Sequence, residues 1–303
     1  MMHRIWKKAS FAELFTVISL TVIGLITVSA SVVFFISFRS MSYSQIETDT
    51  RKKVVYMRDI VVANFNKWAS LIKYTAIGSA PFMSQEPVNE QALQELFKDI
   101  VASQSDIWLI YCSNNLVWNE PGGYAVYGNG TIPAPDWNNT QRAWFTSAKK
   151  AAGEVGYSEP YIAASNGTLI ISVSINVYDE SGTDVGVVSG NVSIAFLNDI
   201  LAKNSSQPGQ QTYLLNRQGL FIANPDRSAV LHKDYFVESG LERYRDAVLS
   251  SESFFKMDRK VFIYAVFIPE VDWLLVSTIP TPVIFAKANS LLIKLILVNL
   301  LLI

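Results

Sequence analysis

The residues best suited to chemistry in this chain gather around one arginine. Asp136-Trp137-Asn138-Asn139-Thr140-Gln141-Arg142-Ala143-Trp144-Phe145 sets a guanidinium among three large aromatic side chains. Such a group offers a planar two-point grip on a carboxylate, with charge-assisted bonds worth ~1.5–3 kcal/mol each, and Trp137 and Trp144 can wall the space beside it. That half of a site favours an anion. Arg142 equally suits a plainer role, capping a carbonyl or pairing with Glu159, and Trp144 and Phe145 are equally at home in a core. Further on, Gly156-Tyr157-Ser158-Glu159-Pro160-Tyr161 flanks Pro160 with two tyrosines, one expected to face a pocket and the other to pack. In the strand that follows, Asn191 can offer a carbonyl oxygen to a cation but no compensating charge. Trp118, Tyr124 and Tyr127 add aromatic rings in a loop.

Catalysis has little to draw on. With two histidines, His3 and His232, and a single cysteine, Cys112, the chain cannot assemble a histidine triad, a zinc-binding pair or an intrachain disulfide outside the amino-terminal tail. It lacks a phosphate-binding glycine loop and a dinucleotide fingerprint. No enzymatic activity, metal or cofactor is expected. The 303 residues carry a formal net charge of -1, with 17% charged and 50% hydrophobic residues, which excludes a disordered chain and argues against a nucleic-acid partner.

The apolar excess lies at the two ends. Leu14 to Phe38 runs without a charge, longer than the core of a cleavable signal peptide and long enough for a bilayer, and the expected membrane helix covers 13–38. Arg4, Lys7 and Lys8 precede it and place the tail, 1–12, in the cytoplasm and the long middle region outside. A second membrane helix is expected over 283–303. It ends with the chain.

Between these ends, Val54, Met57, Val61, Phe65, Trp68 and Ile72 recur at spacings of three and four and predict a helix over about 44–80, continuous with the first membrane helix. A second helix carries Leu93, Leu96, Phe97, Ile100 and Val101, with Pro87 expected to start it. The texture then changes to strands: a hairpin from Ile107–Cys112 to Leu116–Trp118, a short helix over Thr140–Ala152, and strands over 168–178 and 184–194 joined by Asp-Glu-Ser-Gly. Asn204 to Gln210 has the composition of a boundary. Beyond it come strands at 212–215, 220–223, 253–257, 261–268 and 273–279, with a helix over 238–249. The hairpins at Ile107 and Thr212 hold the same place in their halves.

Arg-x-Trp-aromatic, then Tyr-x-x-Pro-Tyr, then Gly-Val-Val-x-Gly, on a long entry helix between apolar segments, resembles the double Cache sensor domain of bacterial chemoreceptors and sensor kinases. The resemblance implies an α+β fold in which a long amino-terminal helix carries two stacked PAS-like domains, the sensor covering 39–282. Its membrane-distal, ligand-binding part would cover 81–203 and its membrane-proximal part 204–282. It also implies that Arg142 and Trp144 hold a ligand carboxylate and that Trp137 and Phe145 line the pocket, with Tyr157 and Tyr161 as the further candidates beside them. Asn191 would stand where amino-acid-binding members have an aspartate for the ammonium. Trp137 and Phe145 replace tyrosines of that pattern, and with Asn191 they leave an amino acid, a small carboxylate, an uncharged nitrogenous ligand or a sugar open.

The expectation is a membrane-anchored periplasmic sensor of the bacterial inner membrane, a homodimer that binds a small polar solute, an amino acid or carboxylate, as the input part of a methyl-accepting chemotaxis receptor whose cytoplasmic signalling module is absent from this chain. The alternatives are the input of a histidine kinase or a diguanylate cyclase, a sensor fold that has lost its ligand and serves as structure, and, least favoured by the scarcity of histidine, a hydrolase.

Overall fold

The computed structural model describes residues 10–104, 106–163, 169–193, 195–204, 208–224 and 226–302. Its spine is α1 (Phe11–Met83), 73 residues in one helix, roughly 110 Å at a rise of ~1.5 Å per residue. Ser10 and Glu13 start it with a reciprocal capping box. The first part is long and apolar enough to cross a membrane, and none of that apolar window is buried within the protein. From Thr50 onward the helix buries the stripe expected from its spacing, Val54, Met57, Val61, Phe65, Trp68 and Ile72, and extends it with Ala76 and Met83.

Two antiparallel sheets lie on this stripe. Helix α2 (Glu90–Ala102) precedes the first, and its start corrects the expectation for Pro87: the cap is Asn89, whose side-chain oxygen accepts from the Ala92 amide at 3.1 Å, an ability proline lacks. Then follow β1 (Ile107–Ser113), β2 (Ala125–Tyr127), α3 (Ala143–Ala151), β3 (Gly156–Tyr157), β4 (Tyr161–Ile162), β5 (Leu169–Tyr178) and β6 (Asp184–Ser193). The order is β2-β1-β6-β5-β3, with β4 also on β5. The hairpin partner of β1 is thus β2 and not Leu116–Trp118. Those residues are captured by the buried side chain of Asn139, which accepts from the Trp118 amide at 2.9 Å and donates to the Leu116 carbonyl at 2.8 Å.

After α4 (Ala195–Asn204), the second sheet comprises β7 (Gln211–Leu215), β8 (Phe221–Ala223), β9 (Ser253–Met257), β10 (Val261–Ile268) and β11 (Trp273–Pro280), in the order β8-β7-β11-β10-β9. Both sheets follow one plan, in which the first strand pairs with the second and the last. The helix expected over 238–249 is broken into α5 (Tyr235–Ser239) and α6 (Arg245–Leu249), because Gly240 takes φ 66° and terminates the first piece. The apolar tail forms α7 (Thr281–Ile284) and α8 (Ala286–Leu302). Helix α8 lies along the first part of α1, joined by Asn299 donating to Ser31 Oγ at 3.0 Å. Among the described residues, α1 is the one helix long and apolar enough by itself to cross a membrane.

Strand alternation divides each sheet into a spine face and an outer face. In the first sheet Cys112, Ile171, Val173, Ile175, Val188 and Val192 join the core against α1. Leu109, Tyr111 and Val187 pack on the other side with Trp144, Phe145 and Ala148. The seam between sheets is aromatic: the Phe65 ring meets Trp68 at 5.1 Å, Tyr157 at 5.2 Å and Trp273 at 5.4 Å. Gly190 sets the distance of the first sheet from the helix, since a Cβ there would lie 2.6 Å from Ile72 Cδ1 and 3.2 Å from Ile107 Cγ2. Gly190→Val is therefore expected to cost ~1–3 kcal/mol of stability by overpacking, measured by chemical denaturation. Combined with Ile72→Ala it should cost less than the two single losses added, and strict additivity would contradict this close approach.

Candidate functional site

The outer face of the first sheet carries a polar patch that the period of two dictates. Asn191 and Ser189 on β6, Ser172 on β5 and Tyr111 on β1 share it, all within 4% of full burial. Tyr111 donates its hydroxyl to Asn191 Oδ1 at 2.8 Å, and Ser172 Oγ donates to the same oxygen at 2.8 Å. Ser172 has spent its one proton, so it accepts from the Tyr161 hydroxyl, 2.6 Å away. Ser189 Oγ donates to the Tyr111 oxygen at 3.3 Å. Four hydroxyl protons thus run toward one amide oxygen. Burial pushes the phenols of Tyr111, Tyr127 and Tyr161 up, so they are neutral near pH 7, although the positive charge of Arg142 pulls Tyr127 and Tyr161 back in part.

Above the patch is a cavity of about 220 Å³. Its floor is Leu109, Tyr111, Ile170 and Asn191, one side is Trp137, Arg142 and Trp144, and the rim is Tyr127, Tyr161, Ala163 and the segment 131–134. The rings interlock: Tyr111 stacks on Tyr127 at 5.0 Å and meets Trp144 edge-on at 5.0 Å, and Trp137 lies nearly parallel to Trp144 at 6.5 Å. Arg142 owes its place to a break in the chain. The expected helix over 140–152 is split into a 3-10 turn (Asn139–Gln141) and α3, with Arg142 between them in extended geometry, φ -79° and ψ 148°. Its side chain is half-buried and has no ion pair or hydrogen bond among the described residues, so Glu159 is not its partner. Glu159 instead faces Asn216 and Trp273 of the second sheet, where burial raises its carboxyl.

Of the seven residues singled out from sequence, Arg142, Trp144, Trp137, Tyr161 and Asn191 come together at this cavity. Phe145 and Tyr157 do not. Phe145 is buried beside Trp144 with Lys149 Nζ 5.3 Å from its ring centre. Tyr157 lies on the spine face, where its hydroxyl donates to the Phe65 carbonyl at 3.5 Å and burial pushes it up to about 12. Cross-strand pairing explains the division, because Tyr157 pairs with Val173 of the spine face and Tyr161 with Ile170 of the outer face. Tyr111 was not singled out from sequence, although alternation along β1 would have put it on the outer face with Leu109. Of the loop aromatics, Tyr127 reaches the cavity, whereas Trp118 donates its indole to the Ala134 carbonyl at 3.2 Å and Tyr124 packs near Met83.

Comparison with known proteins agrees with this architecture. The Cache domain family matches residues 38–288. The chain is 32% identical over 122 residues to the methyl-accepting chemotaxis protein McpB of Bacillus subtilis (strain 168), covering 36% of this chain and 16% of McpB, so it spans a small part of that relative's length. The ligand binding domain of Mlp24 with asparagine aligns with a TM-score of 0.64 at 17% identity, over 82% of this chain and 99% of that one. The ligand-binding domain of the Pseudomonas fluorescens chemoreceptor CtaA in complex with L-valine aligns with a TM-score of 0.59 at 20% identity, over 76% and 96%. At these identities the two structures establish the shared fold.

The hydroxyl relay makes its own prediction. Tyr111→Phe removes a donor from Asn191 Oδ1 and an acceptor from Ser189 while keeping the ring, and should cost ~1–3 kcal/mol in chemical denaturation. An unchanged midpoint would show that the relay is not formed.

Proposed function

The chain belongs to the Cache domain family, and on that premise we propose that it is the input part of a methyl-accepting chemotaxis receptor, which senses a small carboxylate-bearing solute in the cavity beside Arg142. The observation that carries this reading is the half-buried guanidinium lining an aromatic cavity with no counter-ion among the described residues. An unpaired charge in such a place is costly unless a ligand completes it. The kinship with McpB supports the receptor assignment, and the asparagine and L-valine named for the two solved relatives support a small ligand with a carboxylate.

In this reading 1–12 is a cytoplasmic tail, 13–38 and 283–303 are membrane helices, and the two sheets stand in the periplasm of a bacterium, 81–203 distal and 204–282 proximal. The receptor works as a homodimer and has no catalytic role of its own. The ligand favours one of two arrangements of the proximal sheet on α1, which shifts α8 against the first membrane helix. The contacts at the Phe65 seam and between Asn299 and Ser31 lie on that route.

Thermal unfolding of the full chain in lipid nanodiscs, screened against amino acids and organic carboxylates, tests the proposal. A ligand at a hundred times its dissociation constant should add ~2.7 kcal/mol of stability. Arg142→Ala should abolish that shift while moving the unliganded stability by no more than ~0.5 kcal/mol, as for a side chain without partners. A ligand shift that survives the substitution, or a large loss of intrinsic stability, would make this arginine scaffold.

A further inference from the structure

Among the described residues that line the cavity, Arg142 and the Asn191 amide offer donors, the hydroxyls of Tyr127 and Thr131 can donate or accept, and none is a carboxylate. Arg142 is the only charged residue among the described residues that line it. Every Asp and Glu of the chain lies within the described residues, and none of them lines the cavity. The residue best placed to meet an ammonium is Asn191, but its Oδ1 already accepts from Tyr111 at 2.8 Å and Ser172 at 2.8 Å. The atom left over is Nδ2, a donor with no hydrogen-bond partner among the described residues. The Tyr161 proton is committed to Ser172, which leaves its phenol oxygen, like the hydroxyls of Tyr127 and Thr131, as a neutral acceptor.

A zwitterion entering this space would satisfy Arg142 with its carboxylate and then set its ammonium against an amide nitrogen, with no negative charge to replace lost water. A ligand carrying an oxygen at that position would accept from Nδ2 instead. Leu109, Ile132, Pro133, Ala134, Ala163 and Ile170 give the lining an aliphatic part that suits a short apolar tail. The volume, about 220 Å³, corresponds to roughly seven waters at ~30 Å³ each. We propose that the cavity selects small 2-oxo or 2-hydroxy monocarboxylates with an aliphatic tail over the amino acids of the same skeleton. The inference rests on the reading of the cavity as a carboxylate site and narrows it to one ligand class. The specificity device is the Asn191 amide: its oxygen is held by two hydroxyls, and its nitrogen rejects a ligand that brings a donor.

Isothermal titration calorimetry on the full chain in nanodiscs, with 2-oxoisovalerate, 2-hydroxyisovalerate and L-valine as probes of one skeleton, tests this. The oxo or hydroxy acid should bind at least about tenfold more tightly than L-valine. Asn191→Asp keeps the two accepted bonds and replaces the donor with a charged oxygen, so it should reverse the order, gaining L-valine and losing the oxo acid. Arg142→Ala should remove binding of all three. Tighter binding of L-valine by the unaltered chain, lost in Arg142→Ala, would overturn the ligand class and leave the carboxylate site standing. Binding of none of the three at millimolar concentration would overturn both. The comparison within the unaltered chain decides the matter even if Asn191→Asp does not fold.

Discussion

A guanidinium held beside an aromatic-walled cavity, with no counter-ion among the described residues, is the constraint from which the rest of this molecule follows. Arg142 sits where a 3-10 turn ends and α3 begins, so its backbone is fixed by two elements and is part of neither. The turn is held by Asn139, which is fully buried and ties it to the loop after β1. Helix α3 is held by Trp144 and Ala148, packed on Leu109, Tyr111 and Val187. The cation is thus positioned by the sheet face it looks across. That face directs its own hydroxyl protons onto Asn191, away from competition for a ligand's acceptors.

The opposite face of the same sheet is bound to the spine. Val173 and Val188 point to α1 while their neighbours Ser172 and Ser189 point to the site, so a displacement of either strand is felt on both sides. Phe65 joins Tyr157 of the first sheet and Trp273 of the second on one ring, which makes the seam a packed contact and not a loose linker. The leverage of any ligand over a rearrangement there would be bounded by its differential affinity for the two arrangements.

The long elements were legible in the sequence because their periodicity is local. The stripe from Val54 to Ile72 and the paired strands around Asp-Glu-Ser-Gly need only near neighbours to specify them. The exceptions are set at a distance. Residues 116–118 fail to form a strand because Asn139 captures their backbone from 21 and 23 residues away. Tyr157 and Tyr161 separate by face only through their partners on β5. The commitment of Asn191 Oδ1 depends on Tyr111, 80 positions earlier, and Ser172, 19 positions earlier. In the sequence Asn191 reads as an available acceptor, and in the fold it is an available donor. The break at Arg142 is likewise invisible to helix propensity, although Gly240 was a local signal for the break between α5 and α6.

The most direct test of the central claim is a structure of the full chain with a bromine-labelled short 2-hydroxy carboxylate, in which anomalous scattering locates the bromine and electron density the carboxylate. The carboxylate oxygens should lie ~2.7–2.9 Å from the Arg142 guanidinium nitrogens, with the tail between Trp137 and the segment 131–134. A carboxylate bound elsewhere on the protein, or an Arg142 side chain turned to bulk water with the cavity closed, would contradict the account.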